Sequence, residues 1–342
     1  MPAVSGRGHP IPLAVGGRAP YTIGGRGPAL GQATVHWGRQ NAYPNVRSPA
    51  PMPLAVLASA RPPGVRASRV GTVLIWLPPS EGKSAPESGP RLDVEALSIP
   101  ALATARRAVI EALEALGDGE EAARALGVGA RAAAQLGANT RLRTSPCAPA
   151  SRVFTGVLYD AVAASGADPW ERSEGVTVFS ALFGALSPTD PIPDHRLAMG
   201  VSLPGLGPMA RWWAPRLADA LEPLAKERIV LDCRSGPYRA ACRAPWAHTW
   251  ELRVERQSAT GRQVVSHDAK RWRGAVAGSL MAAGALESEG EDECMAALTG
   301  AAMEIELTDA RGGAHRVVGV ECSEPRRTAA GGSRREVTLV VS

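Results

Sequence analysis

Two short apolar runs in this sequence each lead directly into a turn of polar residues. Val73–Leu77 is followed by the turn Pro78–Lys83, and Ile229–Leu231 is followed by Asp232 and the turn Cys233–Tyr238. An uninterrupted apolar run of this length is typical of a strand that is buried on both faces of a sheet. We therefore expect the polar residues after each strand to lie at one edge of the sheet, where open α/β sheets usually carry their binding groups.

Helical segments alternate with these and other strands. Apolar residues recur with the period of an amphipathic helix over 99–116, and a second helix is predicted over 208–224. A further strand is predicted over 176–179, and a hairpin over 248–266. Because helices and strands alternate without a strict βαβ repeat, the sequence predicts an α+β (mixed α/β) fold. We expect a single compact domain with a central sheet over residues 71–322.

Two weaker strands are predicted in the second half of the chain. The first is Leu197–Leu203, which follows an irregular loop. The second is Val337–Val341, which we expect at the edge of the sheet. Because residues 323–335 are rich in Gly, Arg and Ser, we predict that 323–342 forms a mobile basic tail that carries this edge strand.

The first seventy residues differ in charge from the rest of the chain. They hold eight arginines and no lysine, aspartate or glutamate, together with ten glycines and eleven prolines. The residues beyond them carry 30 basic against 33 acidic side chains, which is a net charge of −3. A segment without periodic apolar residues cannot bury enough surface to offset its ordering entropy. We therefore predict a disordered leader over residues 1–70.

Three interpretations of this leader stay open. It is Arg-rich and acidic-poor like a targeting peptide, but it lacks the apolar core of a secretory signal and the amphipathic period of an organellar one. It also has the composition of a flexible arm that binds nucleic acid. The chain has only three lysines, which is typical of G+C-biased coding sequence, where open frames often extend upstream of the true start. We favour this third interpretation, with Val70 as an alternative start.

Several classes of protein are excluded by the remaining composition. The apolar runs are far shorter than the roughly 18 residues of a membrane span, so we expect no membrane partner. The five cysteines are odd in number and form no C-x-x-C pair, which favours reduced thiols and a cytoplasmic location. The histidines show no metal-ligand spacing, so we predict no structural metal site and assign no cofactor.

A pair of short predicted helices, Glu120–Leu126 and Ala130–Leu136, flanks the turn Gly127–Gly129. This arrangement resembles the helix-hairpin-helix layout, in which backbone N–H groups of a glycine turn contact a DNA phosphate. Short helix pairs with glycine turns are also common packing units. The spacing alone therefore leaves both a phosphate contact and a packing role open.

Cationic and hydroxyl side chains occur at the predicted strand ends and at one helix start, and we expect them to converge on one basic cleft. Arginine offers phosphate a planar fork, lysine a point charge, and Ser and Tyr hydroxyls secondary contacts. Tyr238 and Trp272 also suit stacking against unpaired bases. The residues predicted to bind DNA or phosphate are Lys83, Arg143, Arg196, Arg234, Ser235, Tyr238, Lys270 and Arg273.

The polar turns and the irregular loop over 182–197 also contain groups that can transfer protons. An ordered loop of this length is costly unless it has a function. The catalytic candidates are Glu81, Asp190, His195 and Lys270. The alternative is that Glu81 and Asp190 are only turn and ion-pair residues. The sequence therefore leaves open whether the protein is an enzyme.

Five separated motifs resemble, in the same order, those of the YaaA family of peroxide stress proteins. The first three are the strand and turn Val73–Lys83, the central block over 144–159, and the loop over 182–200. The last two are Leu231–Tyr238 and Lys270–Gly274. Each motif is weak alone, but five in one order identify the chain as a member of this family.

The resemblance implies a compact mixed α/β body with a helix-hairpin-helix element and a positively charged cleft. It also implies a cytosolic protein that binds DNA and protects it under peroxide stress, with a preference for distorted or damaged structure. The alternative is an enzyme that acts on a nucleotide, a nucleobase or another phosphorylated small molecule in the same cleft. Two positions depart from the family pattern: His195 stands where the family usually has tyrosine, and Gly236-Pro237 where an acidic residue is common.

Overall fold

The computed structural model shows a mixed α/β protein with a large central sheet. It describes residues 73–342 except 130–132, 260, 266–267, 289 and 310–311, so the predicted leader over 1–70 lies outside the described residues. The strands are β1 (Leu74–Leu77), β2 (Ala148–Pro149), β3 (Val176–Ser180), β4 (Gly184–Leu186), β5 (Pro191–Ile192), β6 (Ser202–Leu203), β7 (Gly207–Pro208), β8 (Ile229–Asp232), β9 (His248–Ser258), β10 (Gly261–Val264), β11 (Glu306–Thr308), β12 (Ala314–Cys322), β13 (Arg326–Arg327) and β14 (Ser333–Val341). The α-helices are α1 (Ala103–Leu116), α2 (Glu120–Ala125), α3 (Ala150–Val153), α4 (Val157–Ala163), α5 (Met209–Ala225), α6 (Gly236–Ala241), α7 (Ala269–Ala282) and α8 (Glu291–Met303). The 3-10 helices are Pro100–Leu102, Ala134–Arg141, Pro169–Arg172 and Ala285–Glu287.

Parallel strands form the middle of the sheet. The order across it is β11-β12-β14-β9-β8-β1-β3-β4, with β10 paired to β9 and β13 to β14. The run from β14 to β3 is parallel throughout, and antiparallel β12 and β4 flank it. The predicted mixed α/β class is therefore confirmed.

The apolar sequence of β1 follows from its central position. Ile75 pairs with Val176 of β3 on one side and with Leu231 of β8 on the other. Every residue of β1 is buried, since a strand inside a parallel sheet is covered on both faces. Helix α1 is amphipathic, since Val109 and Leu113 are buried whereas Thr104 and Glu111 are exposed. In the described part of the chain, no helix is long and apolar enough to cross a membrane.

The order of the strands reverses between β1 and β8. The chain leaves β1 for β3 on one side, whereas it leaves β8 for β9 on the other. In open parallel sheets this reversal opens a crevice beyond the carboxyl ends of the two strands. The two polar turns predicted from the sequence, 78–83 and 233–238, both begin at this crevice.

Two glycines allow α7 to pack closely against α4 and its C-terminal end. A Cβ at Gly274 would lie 2.1 Å from the carbonyl oxygen of Leu158, and one at Gly278 would lie 2.5 Å from the hydroxyl of Ser165. A side chain at either position would prevent this approach, so the two glycines determine how closely the backbone of α7 packs. Because Lys270 lies in the first turn of α7, this packing also fixes the position of Lys270.

The structure corrects two of the strand predictions. The predicted edge strand Val337–Val341 is part of β14, which pairs with β12 on one side and β9 on the other and so lies inside the sheet. Its residues Val337, Leu339 and Val341 are fully buried, which fits an interior position. The predicted strand Leu197–Leu203 is a strand only at β6, and the residues before it form a loop.

The predicted helix-hairpin-helix is described only in part. Its first helix is α2, and Gly127 follows with a φ of 63°, a conformation that favours glycine. The second predicted helix includes residues 130–132, which lie outside the described residues. The described residues that continue it, Ala134–Arg141, form a 3-10 helix.

Candidate functional site

A cleft of about 430 Å³ lies at the crevice between β1 and β8. Its walls come from the turn after β1, the turn after β8, the loop before β6, the glycine turn after α2 and the start of α7. The residues that line it are Pro78, Pro79, Ser80, Glu81, Lys83, Leu126, Gly127, Val128, Gly129, Arg196, Leu197, Ala198, Met199, Gly200, Ser235, Pro237, Tyr238 and Lys270. Five of the eight residues predicted to bind phosphate are among them.

The turn after β1 is fastened to the segment that begins α4. The hydroxyl of Tyr159 donates to the carbonyl of Pro78 at 2.9 Å, inside the protein. The amide of Thr155 donates to the carbonyl of Gly82 at 3.1 Å, and Lys83 and Phe154 form a backbone bridge. The turn is therefore held at both ends, and its polar side chains start from a fixed backbone.

Lys83 is the half-buried cation of this turn. Its Nζ donates to the carbonyl of Ser80 at 3.1 Å and lies 5.6 Å from the centroid of the Phe154 ring. Burial, followed by the charge of Arg196, lowers the pKa of Lys83 to about 8, while Asp194 and Glu81 act in the opposite direction. Lys83 therefore loses its proton far more readily than an ordinary lysine.

Arg196 is positioned through its backbone. The side chain of the buried Asn139 accepts from the Arg196 amide at 2.7 Å and donates to the Arg196 carbonyl at 2.9 Å. The guanidinium of Arg196 donates to the carbonyl of Glu81, which joins two walls of the cleft. Asn139 could not be predicted as a site residue, because nothing in its local sequence indicates that it reaches a residue 57 positions away.

Asp194 is a second residue near the cleft that no sequence motif indicated. It is half-buried between Lys83 and Arg196. Burial raises the pKa of its carboxyl group, and these two cations partly offset that increase. Its place two residues before Arg196 in the irregular loop was the available signal.

The opposite wall supplies hydroxyl groups and a second lysine. Ser235 precedes α6 and Tyr238 lies within it. Burial, with a smaller contribution from Glu81, raises the pKa of Tyr238 to about 12, although a hydrogen bond with the Met199 backbone acts against this. Tyr238 therefore stays a neutral hydroxyl at physiological pH. Lys270, at the start of α7, is exposed at the cleft.

Two of the four catalytic candidates, Glu81 and Lys270, line the cleft, and the other two do not. Asp190 is buried and accepts from the amide and hydroxyl of Ser98 at 2.9 and 2.8 Å and from the amide of Ser187 at 2.9 Å. These bonds fix the loop, which matches the alternative that Asp190 is a turn residue.

His195 is also buried. Its ring meets Phe154 and Phe183 edge-on, and its Nδ1 is 3.0 Å from the carbonyl of Pro193. Since a carbonyl only accepts, Nδ1 carries the proton of the neutral ring. Burial, and next the charge of Lys83, lower the pKa of His195 to about 3. His195 is thus a neutral packing residue behind the cleft wall.

Arg234 lies in the protein interior, away from the cleft. Its Nε and Nη2 each donate to the carboxylate of Asp232 at 2.8 Å, and the two nitrogens Nη1 and Nη2 reach backbone carbonyls of Tyr238 and Cys242. Its Cζ is 4.5 Å from the Trp76 ring centroid and 4.2 Å from that of Phe179. The prediction that Arg234 faces the cleft is therefore wrong in placement: its donors are occupied inside the fold.

Three other predicted residues also lie outside the cleft. Arg143 is exposed and pairs with Glu114 at 3.0 Å. Arg273 is half-buried, and its Nε donates to the carbonyl of Leu252 at 3.1 Å. Trp272, predicted to stack on bases, is buried in the core. In each case the residue type suits a nucleic acid, but the fold places the side chain outside the cleft.

The charged residues that line the cleft are Lys83, Arg196, Lys270 and Glu81. Cations thus exceed carboxylates there, although the chain beyond the leader has a net charge of −3. Within the described ranges, no group of three His, Cys, Asp or Glu residues is arranged to hold a metal ion. The chemistry of these cleft residues is that of an anion site with an amine, a carboxylate and a phenol.

Comparison with known proteins identifies the family. A sequence model described as peroxide stress protein YaaA matches residues 73–290. The chain belongs to the YaaA family. It is 39% identical over 250 residues to a UPF0246 protein of Streptomyces coelicolor, covering 70% of this chain and 95% of the relative. UPF0246 proteins of Corynebacterium efficiens and Corynebacterium glutamicum are each 36% identical, covering 70% and 68% of this chain and 97% and 95% of the relatives.

The part of the chain that matches the YaaA family contains the whole cleft. Its first lining residue is Pro78 and its last is Lys270, both within the matched residues 73–290. The family resemblance read from the sequence motifs is therefore confirmed, and the cleft is built entirely from the family part of this chain.

Proposed function

We propose that this protein binds DNA in the cleft and protects it during peroxide stress, in the cytoplasm. The observation that carries the proposal is the convergence of Lys83, Arg196 and Lys270 from three separate elements at one crevice. Three cations on fixed backbones form a site for a polyanion, and phosphates are the anions that such a set binds most readily. The peroxide stress description of the family supplies the biological setting.

The size of the cleft supports binding of an unpaired nucleotide. A volume of about 430 Å³ falls in the ~300–1,000 Å³ range of small-molecule pockets. A double helix is far wider than such a pocket, so a nucleotide enters the cleft only where it leaves the stack. Tyr238, at the cleft wall, offers a ring on which an unpaired base can stack. This favours distorted or damaged DNA over intact duplex.

The glycine turn after α2 extends the same site. Gly127, Val128 and Gly129 line the cleft opposite the two polar turns. A Cβ at Gly127 or Gly129 would meet no atom within 4 Å, so both face open space. We propose that this turn contacts a phosphate through its backbone, as the helix-hairpin-helix resemblance implies.

Fluorescence anisotropy of the full-length chain tests this function. The probes are a labelled duplex and the same sequence with a central unpaired bubble, each titrated at several salt concentrations. We expect tighter binding to the bubble. We also expect the slope of log binding constant against log salt concentration to be steeper by about 2 to 3 than in a variant in which Lys83, Arg196 and Lys270 are all glutamine.

The triple variant is needed as a control because the leader carries eight arginines of its own. Any binding by the leader is common to both proteins, so the difference between them isolates the cleft. An equal affinity and an equal salt slope for the two proteins would disprove binding at the cleft.

The alternative function, an enzyme acting on a nucleotide, nucleobase or other phosphorylated small molecule, is favoured by one observation. The cleft holds an amine of lowered pKa, Lys83, together with the carboxylate of Glu81, and such pairs serve acid–base chemistry. Calorimetric titration with nucleoside monophosphates would distinguish it. Micromolar binding of a mononucleotide without binding of DNA would favour the small-molecule enzyme.

A further inference from the structure

We propose that Lys83 is a nucleophile that forms an imine with the aldehyde of an abasic deoxyribose in DNA. The proposal rests on the proposed function, since DNA must first occupy the cleft. It names the substrate class as DNA that has lost a base, and it assigns the reacting atom as Nζ of Lys83.

The geometry around Lys83 suits a reacting amine. Its Nζ is held by one neutral acceptor, the carbonyl of Ser80 at 3.1 Å, and packs over the Phe154 ring. This one hydrogen bond positions the amine and leaves its lone pair available to a ligand in the cleft. The charged and titratable groups that face it are Arg196, Asp194, Glu81 and His195.

The use of lysine at this position is informative in this chain. The whole sequence has only three lysines, and two of them, Lys83 and Lys270, line the cleft. The third, Lys226, lies just beyond α5, 3.9 Å from the carboxylate of Glu222. Arginine binds phosphate with a better geometry but does not give up its proton. A chain that otherwise uses arginine almost throughout therefore has lysine where an amine is needed.

The protonation state supports the same role. Because burial and Arg196 lower the pKa of Lys83 to about 8, about a tenth of the molecules carry the neutral amine at pH 7. An ordinary lysine of pKa 10.5 would be neutral in fewer than about one molecule in a thousand. Only the neutral amine attacks a carbonyl.

The reaction requires no reagent beyond the abasic DNA and water. The lone pair of Nζ bonds to C1′ of the ring-opened sugar, and the carbonyl oxygen leaves as water after taking up protons, which gives the imine. The Glu81 carboxylate then accepts the proton from C2′, and that electron pair forms the C2′–C3′ double bond as the 3′ phosphate leaves. Water hydrolyses the imine and restores the amine. None of these steps requires an oxidant or a reductant.

Other residues that line the cleft are suited to bind and orient the abasic DNA for this reaction. Arg196 and Lys270 lie on walls contributed by different elements, so they can hold the phosphates on either side of the sugar. Tyr238 stays protonated because its pKa is about 12, and it can donate a hydrogen bond to the departing oxygen. The missing base leaves room for the sugar to enter a cleft of this size.

Borohydride trapping tests the proposal. The full-length protein is incubated with a labelled duplex that contains one abasic site, sodium borohydride is added, and the products are separated on a denaturing gel. We expect a covalent adduct, located at Lys83 by peptide mass spectrometry, and at least about tenfold less adduct with Lys83→Gln. Lys226→Gln is the matched control, and a tetrahydrofuran analogue, which has no aldehyde, should give no adduct.

Each outcome decides the question, because DNA binding is measured by anisotropy in the same samples. Binding to abasic DNA that exceeds that of the triple glutamine variant, without an adduct, overturns the nucleophile but leaves the proposed function intact. An adduct that maps to Lys270 or to the N-terminal amine also overturns it. Absence of both binding and adduct removes the proposed function together with this inference. Mapping on the wild-type protein keeps the test valid even if Lys83→Gln does not fold.

Discussion

The turns after β1 and β8 look alike in sequence but place their cations in opposite environments. After β1, Lys83 lies at the cleft, held by a neutral carbonyl. After β8, Arg234 turns inward and forms a bidentate pair with Asp232, and its guanidinium lies over the rings of both Trp76 and Phe179. One turn presents its charge to the cleft, and the other uses its charge to hold three neighbouring strands together.

The difference lies in the acidic partner that each turn provides. Burial alone would raise the pKa of Asp232, but the charge and hydrogen bonds of Arg234, helped by Arg239, hold it below the ordinary value. Asp232 is only two residues before Arg234, so the pair closes locally. The carboxylates near Lys83 raise its pKa less than burial and Arg196 lower it. A cation at a strand end therefore suits a ligand when its own turn does not neutralise it.

The largest expected effect comes from breaking the inward pair. Asp232→Asn keeps the shape of the side chain but leaves the buried guanidinium without its counter-charge, so we expect a loss of about 3 to 5 kcal/mol in the free energy of unfolding. Urea denaturation followed by tryptophan fluorescence measures it. A loss below about 1 kcal/mol would mean that burial of the Arg234 charge does not depend on Asp232.

The next effect is the acid sensitivity contributed by His195. Its pKa is about 3 in the folded protein and about 6.5 when unfolded, so below pH 6.5 the unfolded chain binds a proton that the folded chain refuses. Stability therefore falls as pH falls, by ~2 kcal/mol from this group at pH 5. We expect His195→Asn to flatten the fall of the urea midpoint between pH 7 and 5. An unchanged slope would contradict a neutral, buried ring.

Lys83→Gln should separate binding from stability. We expect affinity for bubbled DNA to fall about tenfold, or ~1.4 kcal/mol, and the salt slope to become less negative by about 1. Because the folded state lowers the pKa of Lys83 from 10.5 to about 8, its charge costs stability at neutral pH. The free energy of unfolding should therefore stay level or rise. A clear loss of stability would place Lys83 with Arg234 as a structural cation.

The smallest effect is expected at Arg143. This exposed residue pairs with Glu114 on the protein surface, and exposed pairs contribute ~0–1 kcal/mol. Arg143→Gln removes the same charge as a cleft variant, so anisotropy with the same bubbled DNA makes it a matched control. We expect affinity and salt slope to change by less than half as much as in Lys83→Gln. An equal change would show that bound DNA extends beyond the cleft to α1.

The sequence predicted those features that depend on local pattern. Val73–Leu77 and the strand that begins with Ile229–Leu231 were identified as buried strands because their apolar runs are uninterrupted, and both adjoin the cleft. Lys83 and Tyr238 were found because each follows such a strand. The mixed α/β class followed from the alternation of these strands with amphipathic helices.

Features that depend on distant partners were not predictable in this way. Asn139 forms hydrogen bonds with the backbone of Arg196, 57 residues away, and Arg273 donates to the carbonyl of Leu252. Neither contact is indicated by the local sequence. Asp232 was the overlooked local signal for Arg234. The position of β14 depends on strand order, which no short window of sequence contains.

The position of β14 has a consequence for how the protein folds. β14 follows β9 and β12 in the chain yet lies between them in the sheet. During synthesis β9 and β12 are therefore complete before the strand that joins them exists, and each exposes an unpaired edge in the meantime. Until β14 inserts, β11 and β12 cannot join the parallel core. Folding of this half of the protein is thus a late, long-range step, and the nascent chain is open to aggregation until that step is complete.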